Sequence, residues 1–180
     1  MVVALVIVIP FRYFIAEPFL VEGASMEPNF HTADYLIVTK IFKAGRGDIV
    51  VLVPPYERRD SWRNYIPFLD QRKKYIKRLI GLPNEEVKMK DGKIFIKKKG
   101  QNDFKELKEP YIKNINFNSQ QIRKLNSHEY FVLGDNRPNS RDSEEFGPIN
   151  KEDVIGEPLF RLLPITQIGI FPESFNFDKF

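Results

Sequence analysis

Val87-Lys88-Met89-Lys90-Asp91-Gly92-Lys93-Ile94-Phe95-Ile96 is the stretch from which the fold class can be read. Apolar residues alternate with lysines on both sides of Asp91-Gly92, the period of a strand with one buried face. A two-residue Asp-Gly connection suits a type I′ turn, in which both central residues need positive φ, so the segment predicts a β-hairpin. Upstream, residues 75–80, 48–53 and 35–41 are short runs rich in Val, Ile, Leu and Tyr, the second stopped by Pro54-Pro55. Residues 18–21 read as extended, residues 23–30 as turn-rich and residues 56–72 as a loop. Downstream, residues 98–127 are polar and rich in Asn and Lys, an excursion from a core that resumes with a strand at Glu129–Leu133 and a strand pair within residues 153–163. The pattern predicts a mostly β protein.

With 180 residues, 42% of them hydrophobic and 16 of them Phe, the chain has enough apolar side chains for one well-cored domain plus a short accessory piece. The absence of cysteine excludes thiol nucleophiles, disulfides and thiolate metal sites. His31 and His128 are the only histidines and no H-E-x-x-H pattern occurs, so no metal or other cofactor is expected. The net charge of +4 is uneven: residues 88–124 hold eleven Lys and Arg against four acidic residues. Such a ribbon reads as a solvated lysine-rich face, and no nucleic-acid partner is expected of it.

Residues 1–11 read Met-Val-Val-Ala-Leu-Val-Ile-Val-Ile-Pro-Phe, and the apolar character continues past Arg12 to Ala16. The run is shorter than the roughly 20 residues that cross a bilayer, yet it lacks the basic start and small-residue cleavage site of a secretory signal. Residues 1–16 are therefore expected to be a short, uncleaved membrane anchor, with the lipid bilayer as a partner.

Two segments stand out chemically. Ser25 lies just beyond the anchor in Glu22-Gly23-Ala24-Ser25-Met26-Glu27-Pro28, where Gly23 and Ala24 leave the backbone open to a substrate and Pro28 directs the exit of the turn. Lys77, at strand period, points the same way as Tyr75 and Leu79. If that side is buried, its ammonium form is disfavoured and its pKa falls toward the range of a general base. A third segment, Gly134-Asp135-Asn136-Arg137-Pro138-Asn139-Ser140-Arg141-Asp142-Ser143, is a dense polar loop at the end of an apolar strand.

Taken in order, Gly23 to Pro28, Arg46-Gly47-Asp48-Ile49-Val50, Lys77-Arg78-Leu79-Ile80-Gly81-Leu82-Pro83 and Gly134 through Ser143 resemble the successive boxes of bacterial type I signal peptidases. The resemblance implies a β-rich catalytic core with an inserted β-ribbon domain and an N-terminal membrane anchor. It divides the chain into an anchor at 1–16, a first core part at 17–96, an inserted variable region at 97–127 and a second core part at 128–180. The implied activity is a membrane-bound serine endopeptidase that removes signal peptides from exported preproteins through an acyl-enzyme. By the same resemblance Ser25 is the nucleophile, Lys77 the general base, Ser140 the hydroxyl that orients the lysine and Asp142 the acid that braces the loop. The substrate binds extended, beside residues 18–22 and near 48–53 or 74–76, with Phe19, Val21, Gly23, Tyr75 and Ile76 as its contacts. The implied location is the bacterial plasma membrane, single-pass, with the catalytic part on the extracytoplasmic side.

Three positions depart from the family pattern: Gly23 where some members carry a serine, Glu144 where many carry an arginine, and Asn84 for a common glycine. Two other function classes compete. A Ser/His/Asp hydrolase would pair His31 or His128 with Asp34 or Asp135, but there is no G-x-S-x-G elbow. A membrane-tethered, non-catalytic β protein would use the basic ribbon to bind lipid headgroups or an acidic partner.

Overall fold

Asp91 and Gly92 both take positive φ, +51° and +76°, and close the hairpin between β5 (Glu86–Lys90) and β6 (Lys93–Lys97) as a type I′ turn requires. Val87 and Met89 face Ile96 and Ile94 across the pair, and all four are buried while the intervening lysines are not. The computed structural model describes residues 12–58, 70–112 and 120–170. The expected loop at 56–72 lies largely outside them, as do residues 1–11 of the expected anchor.

The remaining strands are β1 (Ala16–Leu20), β2 (Tyr35–Thr39), β3 (Ile49–Leu52), β4 (Tyr75–Gly81), β7 (Lys105–Glu106), β8 (Gln121–Lys124), β9 (Glu129–Leu133), β10 (Ile149–Asn150), β11 (Val154–Leu163) and β12 (Gly169–Ile170). A short helix, α1 (Ser143–Phe146), precedes β10. The larger sheet runs β1-β2-β11-β3-β4-β9-β10 with β12 alongside β11, and the smaller runs β7-β6-β5-β8. The smaller sheet lies entirely between β4 and β9 in the chain, and residues 98–127, the expected polar excursion from the core, add β7 and β8 to the hairpin.

Strand alternation distributes the core. Val51 and Ile76 pack with Val21, Met26, Phe30, Leu36 and Val38 on one side of the larger sheet. Val50, Leu52 and Leu79 pack with Tyr130, Val132 and Ile149 on the other. A third cluster, Ile80, Phe131 and Leu133 with Val87, Met89, Ile94, Ile96 and Leu125, seals the smaller sheet against β4 and β9. Gly81 permits that closure, since a Cβ there would lie 2.5 Å from a Val87 methyl.

The strand pair expected within residues 153–163 is a single ten-residue strand, β11. Val154 and Gly156 pair with β3, whereas Glu157 to Leu163 pair with β2, so one strand changes from β3 to β2 along its length, with β12 also paired to it at Phe160 and Arg161. Gly156 marks the crossing: a Cβ there would lie 2.0 Å from the Thr39 carbonyl oxygen. Gly156 and Pro158, residues that would ordinarily end a strand, here mark a change of partner with irregular register.

Candidate active site

Ser25 sits on a turn between β1 and β2. The Ala24 carbonyl accepts the Glu27 N–H at 3.2 Å, and the Met26 carbonyl accepts those of Asn29 and Phe30 at 2.9 and 3.0 Å. Met26 and Phe30 are fully buried beside Val21 and Leu36, which pins the turn to the core and leaves Ser25 half-buried at its margin. Gly23 has φ of +87°, a conformation that L residues rarely adopt, so the backbone favours glycine here although the space around it is open.

Lys77 arrives from β4, between Val50 on β3 and the Ser25 turn. Its Nζ lies 2.7 Å from Ser25 Oγ, 3.0 Å from the Ile76 carbonyl and 5.2 Å from the centre of the Tyr75 ring. The side chain is buried, with 2% of the residue exposed. Burial lowers its pKa to about 8, while the Asp142 and Asp135 carboxylates oppose the shift. A neutral amine at this distance can accept the proton of the serine hydroxyl, the arrangement nucleophilic catalysis needs.

The loop after β9 closes the site from the other side. Asn136 donates its N–H to the Ser25 carbonyl and its Nδ2 to the Ala24 carbonyl, each at 3.0 Å. The Ala24 carbonyl and the Ser25 N–H belong to one trans peptide and point oppositely, so this bond aims the Ser25 N–H away from the loop. Gly134 allows the close approach, because a Cβ there would lie 2.6 Å from the Ser25 carbonyl oxygen and 2.2 Å from Ser140 Oγ. Asp142 caps α1 by accepting the Glu144 N–H at 3.1 Å, and its other oxygen accepts the Gly134 N–H at 2.9 Å. One carboxylate therefore ties the two ends of the loop together.

The expected residues fall as follows. Ser25 and Lys77 meet, and Asp142 lies in the loop that covers them. Ser140 Oγ is buried and has no hydrogen-bond partner, so the contact expected between it and the lysine is not made in this arrangement. Val21 and Ile76 share one apolar cluster with Phe19 packed against it, and Tyr75 flanks Lys77. Residues 48–53, expected to lie near the substrate, hold the interior strand β3, which pairs with β4 along its length and with β11 at Val51 and Leu52. The triad alternative loses its acids: Asp34 pairs with Arg161 at 3.1 Å, and Asp135 with Arg78. At the departing positions, Asn84 takes φ of +66°, and Glu144 leaves Asp142 held by backbone N–H groups.

Sequence reasoning did not single out Arg78, Asn29 or Asn136, and named Asp135 only as a possible triad acid. Arg78 and Asp135, 2% and 4% exposed, form a bidentate pair at 2.8 and 2.6 Å, and Arg78 also donates to the Gly47 carbonyl at 2.7 Å. Asn29 Nδ2 donates to Asp135 at 2.6 Å, joining the serine turn to the loop. Three of the four boxes thus meet at one buried ion pair, and the signal available in the sequence was two opposite charges inside two such boxes.

The family model described as "Signal peptidase, peptidase S26" matches residues 1–163. The signal peptidase I of Bacillus licheniformis is 32% identical, the match covering 93% of this chain and 87% of that protein. Signal peptidase I P of Bacillus subtilis subsp. natto is 34% identical over 92% of this chain and 87% of its own length. A crystal structure of a signal peptidase I from Enterococcus faecalis is 29% identical and superposes with a TM-score of 0.48, covering 65% of this chain and 97% of that one.

Proposed function

The chain belongs to the signal peptidase, peptidase S26, family and is a serine endopeptidase, and we propose that it cuts signal peptides from exported preproteins with Ser25 as nucleophile and Lys77 as general base. The observation that carries this reading is the buried Lys77 Nζ at 2.7 Å from Ser25 Oγ. Lys77 takes the hydroxyl proton as Ser25 attacks the scissile carbonyl, and returns it to the departing amine as the acyl-enzyme forms. Lys77 then takes a proton from water, whose oxygen attacks the ester, and returns it to Ser25 Oγ as the acyl group leaves. The Ser25 N–H, aimed by Asn136, is the donor to the developing oxyanion, and no other group is assigned to that task since Gly23 has no side chain.

The substrate adds as an extended strand between β1 and the start of β4. In support, β1 is the terminal strand of its sheet, and β9 pairs with β4 only from Arg78 onward. Lys74, just ahead of β4, reaches Glu17 on β1 at 3.0 Å, so the two edges are near neighbours. Phe19, Gly23 and Tyr75 are the substrate's contacts, with Val21 and Ile76 buried beneath them, and so closed a floor suits the small residues that end signal peptides.

Residues 1–16 anchor the chain to the plasma membrane, with the catalytic core on the outer face. No helix among the described residues is long and apolar enough to cross a membrane. Support comes from exposed Tyr13, Phe14 and Ile15 ahead of β1, with Ile165, Ile168 and Ile170 around β12, which suit an apolar boundary. The core comprises the larger sheet, into which the smaller sheet is inserted.

The test is cleavage of a preprotein in detergent. Ser25→Ala, Lys77→Ala and Lys77→Arg are each expected to abolish product formation with the fold retained, the last because a guanidinium stays protonated. Full turnover by any of the three overturns the pair.

A further inference from the structure

Two residues of the inserted segment reach back to the site. Glu109 and Tyr111 lie between β7 and β8 in the chain. Tyr111, 7% exposed, lays its ring 4.1 Å from the Arg78 guanidinium and donates its hydroxyl to Glu109 at 2.6 Å. Glu109 accepts from Arg137 through both terminal nitrogens, Nη1 at 3.1 Å and Nη2 in closer contact. Arg137 Nε donates to the Gly134 carbonyl at 3.1 Å. The relay Arg78–Tyr111–Glu109–Arg137 therefore runs from the partner of Asp135 to the partner of Gly134. It spans the stretch whose Asn136 holds the carbonyls of Ala24 and Ser25.

The charges suit a permanent strut. Burial disfavours the Arg137 cation, but the adjoining Glu109 carboxylate more than offsets it and the guanidinium stays charged. Burial, helped by Glu109, pushes the Tyr111 phenol up, so the hydroxyl remains a donor. Removing the carboxylate alone would leave a buried cation with a main partner missing, which shifts the backbone that cation holds. Displacement of about 1 Å in a reacting geometry costs on the order of a hundredfold in rate.

We propose that Glu109 and Tyr111 are positioning residues for the peptidase reaction, holding residues 134–137 so that Asn136 keeps the Ser25 peptide in its reactive orientation. The proposal rests on Ser25 being the nucleophile. The inserted segment then acts as a strut of the site as well as a covering sheet.

The experiment is steady-state cleavage of a preprotein by the full chain in detergent, with thermal unfolding of each variant alongside. Glu109→Ala and Tyr111→Ala are expected to lower kcat by about tenfold or more with KM within about threefold, since the strut touches no substrate. The double variant Glu109→Ala/Arg137→Ala should lose no more kcat than Arg137→Ala alone, because both act through one contact. Wild-type kcat in both single variants overturns the proposal, as do fully additive losses in the double variant. A kcat loss that tracks the thermal midpoint and vanishes on cooling also overturns it, leaving structural support only. Ser25→Ala in the same assay separates the two readings. Turnover in that variant sinks the nucleophile assignment itself, whereas a dead Ser25→Ala beside a normal Glu109→Ala sinks the strut alone.

Discussion

Lys77 is held where its charged form is disfavoured. Burial brings its pKa from 10.5 to about 8 against the opposing pull of Asp142 and Asp135, so the folded chain binds that proton less tightly than the unfolded chain does. The unfolded state therefore carries more protons between about pH 8 and 10.5, and stability rises with pH across that window. Below about pH 8 the full cost is present, on the order of 3 kcal/mol if the whole shift is counted. Lys77→Met keeps the bulk and removes the charge, so at pH 7 it should be more stable than wild type by about 1–3 kcal/mol while being inactive. Denaturant unfolding of both proteins measures the first part. In the wild type kcat/KM should climb with pH on one ionisation near 8 and then level, as expected of a base that must be neutral. A flat profile, or a Met variant less stable than wild type, would mean that Lys77 is an ordinary charged lysine.

The loop from Gly134 to α1 is the element whose placement decides whether the pair is usable. Asp142 ties its ends, Arg78 holds Asp135, and Asn136 reaches the serine turn. Gly134 is its tightest point, with backbone of the Ser25 turn on one side and Ser140 on the other. Gly134→Ala forces the loop off that turn, and a stability loss of about 1–3 kcal/mol is expected from overpacking. The loss of kcat should be larger than stability alone accounts for, about tenfold or more at a temperature where the variant is fully folded. Turnover equal to wild type would show that the loop tolerates displacement. The type I′ hairpin was legible from Asp91-Gly92 alone because its geometry is set by two adjacent residues. The 134–143 loop was legible as polar and functional, but its shape was not, because its partners come from β4, the serine turn and the inserted segment.

For the molecule as a whole, the proposed membrane seat predicts separable parts. Removing residues 1–14 leaves β1 whole from Ala16 and keeps Ile15, whose carbonyl accepts the Lys40 N–H at 2.8 Å. The shortened chain should unfold cooperatively, cleave a preprotein in detergent within about threefold of the full chain, and sediment far less with lipid vesicles. Failure to unfold cooperatively would assign the apolar run to the core, and undiminished vesicle binding would assign the seat to the exposed residues around β12. The amino-acid sequence by itself determined most strand positions, the hairpin turn, and Ser25 and Lys77 as the residues to watch. Those features rest on period-two alternation, turn chemistry and short ordered motifs, all written over a few neighbouring positions. Only the tertiary structure decided that residues 154–163 form one strand that passes from β3 to β2. It alone placed β3 in the interior, left Ser140 without a partner, joined Arg78 to Asp135 across 57 positions and brought Glu109 to Arg137 across 28. Such contacts depend on which surfaces exclude water from one another once the sheets close, and no local pattern in the chain encodes that choice.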